Sequence, residues 1–385
     1  MIDEPLRLPH GGFVVPGNRW DLVRERDIPM PEITVVVPWY RHREQLDLVL
    51  EGLAQQDYPR TRFEVVIADD GSPQPLPGDL RPEADLRIRV VRQDDRGFRA
   101  AAARNLAVRH SEGSVLVFLD QDTVPLPGYL RALGRWPALL PDALAVGRRE
   151  HVDLEGWTPQ RLREGWGPPA LFPSPTWLSD AYRDSGDLLR ADRLSYRFVI
   201  SAVMCCGRDL FRETGGFDES FTEYGGEDWE FAHRAWNAGA VLVHEPGAVA
   251  WHDGPDWAGR ESEAGRRAAK SAENEALARR IPAPGRPPED ATDGGPADVV
   301  VLGPGASPDL VAGCHVLLDG PSPEPAGELL DPIVARLREQ GAGEIAGPGL
   351  RVVSTRALTR TRRWEKHFPG RDLMSDLFGA LPPGS

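Results

Sequence analysis

The chain has 385 residues, 41% of them hydrophobic and 8% aromatic, enough for a substantial core in two domains, or in one large domain with an appendage. Its 45 basic against 59 acidic residues leave a formal charge of −14, which excludes the broad basic footprint of a nucleic-acid binder and disfavours an anionic membrane surface. No apolar run nears the ~18 residues needed to span a bilayer, and Met1 to Gly12 lacks a basic-then-apolar leader, so a cytoplasmic protein with no membrane span is expected.

In chain order, Ile33-Thr34-Val35-Val36-Val37 is a β-branched run between Pro31 and Pro38 and predicts a buried parallel strand. Leu46, Leu50 and Leu53 then recur at helical spacing over 43–56. Phe63 to Ala68 predicts a second strand, ending in Asp69-Asp70-Gly71-Ser72. This strand–helix–strand rhythm is the βαβ unit of a doubly wound sheet, which binds ligands at the carboxyl ends of its strands. A third strand is expected over Leu86 to Val91, an Ala-rich helix over Ala100 to His110, and a fourth strand over Ser114 to Leu119 that ends in Asp120-Gln121-Asp122.

Residues 125–195, rich in Pro, Trp and Arg, read as helices and loops forming an acceptor wall, with Trp157, Trp166 and Trp177 either offering faces for sugar rings or packing in the core. A strand over Phe198 to Cys205, a helix over 208–214 and a helix from Glu227 to a stop at Gly239 follow. Short strands at 241–243 and 249–251 lead to His252. Cys205, Cys206 and Cys314 form neither a disulfide framework nor a zinc spacing and are expected as buried thiols. Pro and Gly crowd residues 282–297 and mark a linker. Beyond it, strands over 298–303 and 315–319 and a helix over 329–340 suggest a small α/β appendage. The expected division is therefore a catalytic domain over 1–281, the linker, and the appendage over 298–385.

Two acidic pairs carry the chemistry. Side chains two apart on a strand share a face, so Asp120 and Asp122 can address one ligand. They would repel a diphosphate unless a hard divalent cation, Mn2+ or Mg2+, stood between; the plain alternative is a solvated acidic turn. Glu227-Asp228 follows Gly225-Gly226 at a helix start, where the dipole favours ionised carboxylates able to accept a hydroxyl proton; the plain alternative is a helix cap. His252 at a strand end is either a further metal ligand or a hydrogen-bonded structural residue. Arg99 and Arg104 either offer forked donors for phosphate or stand solvated on the helix, and Trp39 and Tyr40 either stack on a base or a sugar or pack as loop aromatics.

The strings ITVVVPWYRHREQL, FEVVIADDGS, DDRGFRAAAARNLAVR, VLVFLDQDTVPLPGYL, GGFDESFTEYGGEDWEFAHRAWNAG and VAWHDGPD occur in that order. Over residues 30–280 they resemble the inverting family 2 glycosyltransferases of the GT-A fold, especially bacterial chondroitin-polymerase-type catalytic domains and, further off, β-1,4-galactosyltransferases. The resemblance implies an α/β fold with a Rossmann-like, mostly parallel central sheet flanked by helices, a UDP-sugar donor and a divalent cation. It also implies residue roles. Pro38 and Tyr40 would line the uridine pocket, with Trp39, Arg99 and Gln121 on the same nucleotide side. Asp70 would hydrogen-bond the uracil, and Arg104 would sit near the nucleotide. Asp120 would contact the ribose or the metal, and Asp122 and His252 would bind the metal. Glu227 would bind a sugar and Asp228 would be the catalytic base. The acceptor would be a sugar, a glycan or a natural product. The C-terminal part is shorter than a second transferase domain, so one sugar transfer is expected over synthesis of an alternating polymer. Rival readings are a non-catalytic sugar-nucleotide-binding protein and a nucleotidyltransferase. The latter would need a Gly-rich, Arg-containing phosphate loop where this chain has Pro38-Trp39-Tyr40-Arg41-His42.

Overall fold

A computed structural model describes residues 1–254 except 28–29, 78–79, 81–85, 175 and 223–224; residues 271, 274–278 and 280–281; and residues 299–302, 316–319, 344–347 and 350–381. The linker expected over 282–297, the helix expected over 329–340 and Cys314 lie outside the described residues.

Two short strands, β1 (Leu6–Arg7) and β2 (Phe13–Val14), pair at the start of the chain. β3 (Ile33–Trp39), α1 (Arg43–Ala54), β4 (Phe63–Asp69), β5 (Ile88–Arg92), α2 (Ala100–Arg109) and β6 (Val115–Leu119) follow close to their expected positions. The four strands lie in the order β5-β4-β3-β6, all parallel. β4 and β6 are buried at every position and β3 at all but Pro38, as strands covered on both faces must be. The chain winds outward from β3 to β5 and then crosses to the other side of β3 to form β6. That reversal opens a crevice at the carboxyl ends of β3 and β6, where open α/β sheets bind ligands.

The second half contributes β7 (Thr123–Pro125), α3 (Tyr129–Leu139), β8 (Ala143–Asp153), α4 (Pro159–Glu164), β9 (Ala170–Leu171), α5 (Thr176–Ser185), β10 (Val203–Gly207), α6 (Arg208–Glu213), α7 (Glu227–Asn237) and β11 (Val241–Asp253). They extend the sheet to β5-β4-β3-β6-β10-β8-β11-β7, with β9 on the edge of β8. β3, β4, β5, β6, β8 and β11 run one way; β7, β9 and β10 run against them. The α/β class expected from the sequence is the one found.

Three local expectations need correction. β8, a strand of 11 residues inside the sheet, falls where helices and loops were expected; its exposed or half-buried stretch Arg148-Arg149-Glu150 hides the period of a half-buried strand. β10 starts at Val203, after a 3-10 turn over Ser195–Phe198. The two short strands before His252 are the ends of one strand, β11, whose pairing with β8 shifts between Glu245 and Val249, across Pro246-Gly247. Cys205 and Cys206 are free and buried, as expected.

β12 (Val299–Leu302), β13 (Val316–Asp319), β14 (Glu344–Gly347), β15 (Leu350–Ser354) and β16 (Ala380–Leu381) form a second sheet. Two helices that the sequence reading did not single out, α8 (Thr355–Glu365) and α9 (Leu373–Phe378), follow β15 and pack on the first domain. The Arg360 guanidinium is wholly buried and donates from Nε to Asp142 Oδ2 at 2.7 Å, and Trp364 Nε1 reaches the same oxygen at 3.1 Å. Arg356 donates to the carbonyls of Trp236 and Ala240, and Arg363 to that of Ala238. Those carbonyls lie at or just beyond the end of α7, where a helix lacks donors and favours cations. Leu8 and Val14 share a small core with Leu358, Leu373, Leu377 and Phe378. Among the described residues no helix is long and apolar enough to cross a membrane.

Candidate active site

A cavity of about 380 Å³ opens at the carboxyl ends of β3, β4 and β6. It is lined by Pro38, Trp39, Tyr40, Asp70, Arg104, Asp120, Gln121 and Asp122, all singled out from the sequence. His42, Gly97, Phe98 and Ala100 complete the lining and were not. Phe98 had a usable signal, a lone aromatic in a polar, Gly-containing loop directly before α2, and it is 44% exposed.

The residues differ in what they offer a ligand. Asp69 is fully buried, accepts from Ser72 N and pairs with Arg92, so it holds the loop after β4. Asp70 faces the cavity and accepts from Gln93 Nε2 at 2.6 Å and from the backbone N–H of Arg99 at 2.9 Å. Burial raises its pKa, with those hydrogen bonds opposing the rise. Arg99 thus reaches Asp70 through its main chain. Gly71 takes φ +82°, and a Cβ there would lie 2.2 Å from Asp95 N, so only glycine fits this close turn. Trp39 is 3% exposed and donates from Nε1 to His42 O, which leaves only its edge for a ligand. Gln121 Oε1 accepts from Tyr40 N at 2.7 Å and tethers the loop after β3 to the loop after β6.

Arg104 links the two acidic motifs. Its side chain is 3% exposed, with Nη2 2.8 Å from Asp120 Oδ1 and Nη1 2.9 Å from Glu227 Oε1. Burial works against its charge, but the two carboxylates outweigh burial and raise its pKa. α2 therefore binds the start of α7 to the end of β6. The sequence reading placed Arg104 near the nucleotide without this double pairing. Asp228, next along α7, accepts from its neighbour Trp229 N at 2.8 Å, and Oδ2 lies 3.4 Å from Ser201 N. Burial, and then the charge of Glu227, push its pKa up to about 7. Gly226 caps α7 at φ +95°.

Asp122 and His252 meet through strand register. β7 and β11 pair with His252 opposite Thr123, and Asp253 N donates to Asp122 O at 2.9 Å. This brings His252 Nε2 to 3.7 Å from Asp122 Oδ2, a distance that makes no hydrogen bond.

Against known sequences, residues 34–199 match the family described as Glycosyl transferase family 2, and residues 191–247 match the N-terminal domain of galactosyltransferase. Residues 34–199 thus carry a family 2 glycosyltransferase domain. It is 27% identical to chondroitin synthase of Escherichia coli over 297 residues, covering 72% of this chain and 43% of that protein. It is 33% identical to validoxylamine A glucosyltransferase of Streptomyces hygroscopicus subsp. jinggangensis (strain 5008) over 218 residues, covering 53% of this chain and 51% of that one. The chain thus spans about half or less of the length of these curated relatives. A solved mannosyltransferase from Pyrobaculum calidifontis, in complex with GDP-Man and Mn2+, is similar at 21% identity with a TM-score of 0.46, covering 70% of this chain and 68% of that one.

Within this family 2 domain, the chemistry around Asp122 fits a hard divalent cation. Burial, together with the negative charge of Asp120, pushes the Asp122 pKa up to about 7, the behaviour of a carboxylate short of positive charge. Burial, helped by Arg149, lowers the His252 pKa to about 4 and keeps its imidazole neutral at pH 7. Its buried Nδ1 has no hydrogen-bond partner among the described residues. One carboxylate and one imidazole at a cavity mouth are a sparse ligand set. They suit an ion that completes its sphere with water and phosphate oxygens, as Mg2+ and Mn2+ do. Among the described residues no three His, Cys, Asp or Glu side chains converge as a preformed all-protein cage.

Proposed function

We propose that this domain transfers a hexose from a UDP-sugar to a hydroxyl of a sugar, glycan or natural product, with inversion at the anomeric carbon. The supporting observation is the junction of the two acidic motifs. Arg104, which lines the cavity, ties Glu227 to Asp120, and this supports a place near the crevice for the next residue, the base candidate Asp228, although it lies more than a hundred residues later in the chain.

Asp70 would accept from the base, with Pro38, Tyr40 and Phe98 around its ring. Asp122 and His252 would hold Mn2+ or Mg2+, which when bound supplies positive charge opposite the diphosphate. Asp228 takes the proton of the acceptor hydroxyl. The new bond joins that oxygen to the anomeric carbon as the bond from that carbon to the β-phosphate oxygen breaks, and UDP leaves with the electron pair. One displacement from the back face inverts the configuration. A carboxylate titrating near 7 suits this role, because a general base is most effective with a pKa near the working pH. Glu227, held by Arg104, would accept a hydrogen bond from a sugar hydroxyl.

UDP release from UDP-hexoses by the full chain, with and without EDTA, is the direct test. Release that Asp228→Asn lowers by about 10²–10⁴-fold and that EDTA abolishes is expected. Wild-type turnover in Asp228→Asn would remove the base assignment, and EDTA-resistant turnover the metal. Binding of UDP-sugar with no release under any acceptor would favour the non-catalytic alternative.

A further inference from the structure

A second cleft, of about 700 Å³, lies along α5, the 3-10 turn over Ser195–Phe198 and the start of α7. Trp177, Phe198 and Trp229 give it an aromatic wall, and Arg190, Asp192 and Arg197 line it with charge of both signs. Trp177 stands edge-on to Trp229 at 6.4 Å and tilted to Phe198 at 6.3 Å. Of the three tryptophans that the sequence offered for sugar rings, Trp157 and Trp166 pack on Trp251 at 5.5 and 5.2 Å, and the Trp166 Nε1 donates to Gln55. Trp177 differs: it is 46% exposed. The large hydrophobic side chains left exposed among the described residues are Met1, Phe98, Leu171 and Trp177, and the two aromatic ones line the first and second clefts respectively.

This aromatic wall is fixed in place. Tyr182 of α5 stacks on His244 of β11, with ring centroids 3.6 Å apart and planes at 4°, and its hydroxyl donates to Phe198 O at 2.6 Å. His244 Nδ1 in turn lies 2.7 Å from Asp187 Oδ1. α5 and the 3-10 turn are therefore anchored to the central sheet, and a ligand pays little to order them. The wall also reaches the reacting end of the first site. Trp229 follows Asp228 directly, and Asp228 Oδ2 approaches Ser201 N, three residues past Phe198.

We propose that this cleft is the acceptor subsite and takes a pyranose-type, polyhydroxylated six-membered ring, with its C–H face laid on Trp177 and Trp229. The inference rests on the transferase reading for its name and on the cleft itself for its ligand. A pyranose has an apolar face that an indole shields from water and a rim of hydroxyls that need donors and acceptors together. The cleft supplies both, and the opposite charges of Arg190, Arg197, Asp184 and Asp192 favour a ligand without strong net charge.

The test mixes the full chain with the methyl β-pyranosides of glucose, galactose, N-acetylglucosamine and glucuronic acid, read by saturation-transfer NMR. UDP release from UDP-hexoses by the wild type is measured in parallel. Enhancement of the ring protons of one or more neutral pyranosides is expected, with affinity about tenfold weaker in Trp177→Ala and largely kept in Trp177→Phe. Trp177 is half exposed, so the variants should keep the wild-type melting temperature, and a shared unfolding would be visible there. Absence of pyranoside binding by the wild type, equal binding by Trp177→Ala, or selection of the glucuronide alone would overturn the proposal. Pyranoside binding lost in Trp177→Ala, beside a wild type that releases no UDP, would sink the transferase reading and leave this ring site standing.

Discussion

Replacing Arg104 by Met tests whether the two acidic motifs are held together as described. The side chain is 3% exposed and makes two charge-assisted hydrogen bonds, at 2.8 and 2.9 Å. Each such bond is worth roughly 1.5–3 kcal/mol, but Arg104 also bears the cost of burying its own charge, which Met does not. What remains is the state of the two carboxylates. Asp120 is 32% exposed and can take up water, whereas Glu227 is 8% exposed, and its Oε2 already lacks a partner among the described residues. One stranded buried carboxylate places the loss at about 3 kcal/mol, the low end of the usual 3–5 for breaking a buried pair. At roughly 2.1 cal/mol/K per residue, a domain of about 280 residues then melts about 5 °C lower. Urea unfolding at pH 8 measures it, and adding Glu227→Gln to Arg104→Met should recover about half by neutralising the stranded group. A single variant within about 1 kcal/mol of wild type, or a double variant no more stable than the single, would refute the reasoning.

The raised pKa of Asp228 makes two pH predictions. As a base it must be ionised, so kcat/KM should rise tenfold per pH unit below about 7 and level off above, and Asp228→Asn should flatten the rise. The folded protein holds this proton more tightly than the unfolded chain, whose Asp titrates near ~3.9. Its stabilising contribution is therefore full below that value and lost as pH rises through about 7. Asp228→Asn should accordingly stabilise the protein at pH 8 and not at pH 4, by thermal unfolding; the same shift at both pH values would contradict this. Gly239 takes φ +90°, with a Cβ position 2.5 Å from Arg360 Cβ, so Gly239→Ala should cost more than 1 kcal/mol in urea unfolding. Truncation before residue 355 removes Arg356, Arg360, Arg363 and Trp364 and leaves Asp142 buried without its cation; the truncated chain should lose cooperative unfolding or melt far lower. An unchanged melting temperature would contradict a stabilising role for these contacts.

The first half of the fold was legible because its physics is local. β3, β4 and β6 are covered on both faces, so their apolar runs stand alone in the sequence, and each ends in residues that line the cavity. Residue pairs close in sequence, such as Asp120 with Asp122, could be paired by the period of a strand. β8 was not legible, because its charged half breaks the apolar run and its place inside the sheet depends on β10 and β11 on either side. Neither was the role of Trp177 against that of Trp157 and Trp166, since composition treats three tryptophans alike and only packing buries two of them.

The order of elements from β3 to β6, the acidic strand ends and the Gly225-Gly226 entry to α7 were legible beforehand, because strand period, β-branched runs and positive φ act over a few residues. What came only with the folded chain is that Arg104 joins Asp120 to Glu227, that β7–β11 register sets His252 at 3.7 Å from Asp122, and that α8 closes the far end of α7. The Arg104–Glu227, Asp122–His252 and Arg356–Trp236 contacts connect residues more than a hundred positions apart. Strand register and the burial of charge select them, and neither can be read before the chain has closed on itself.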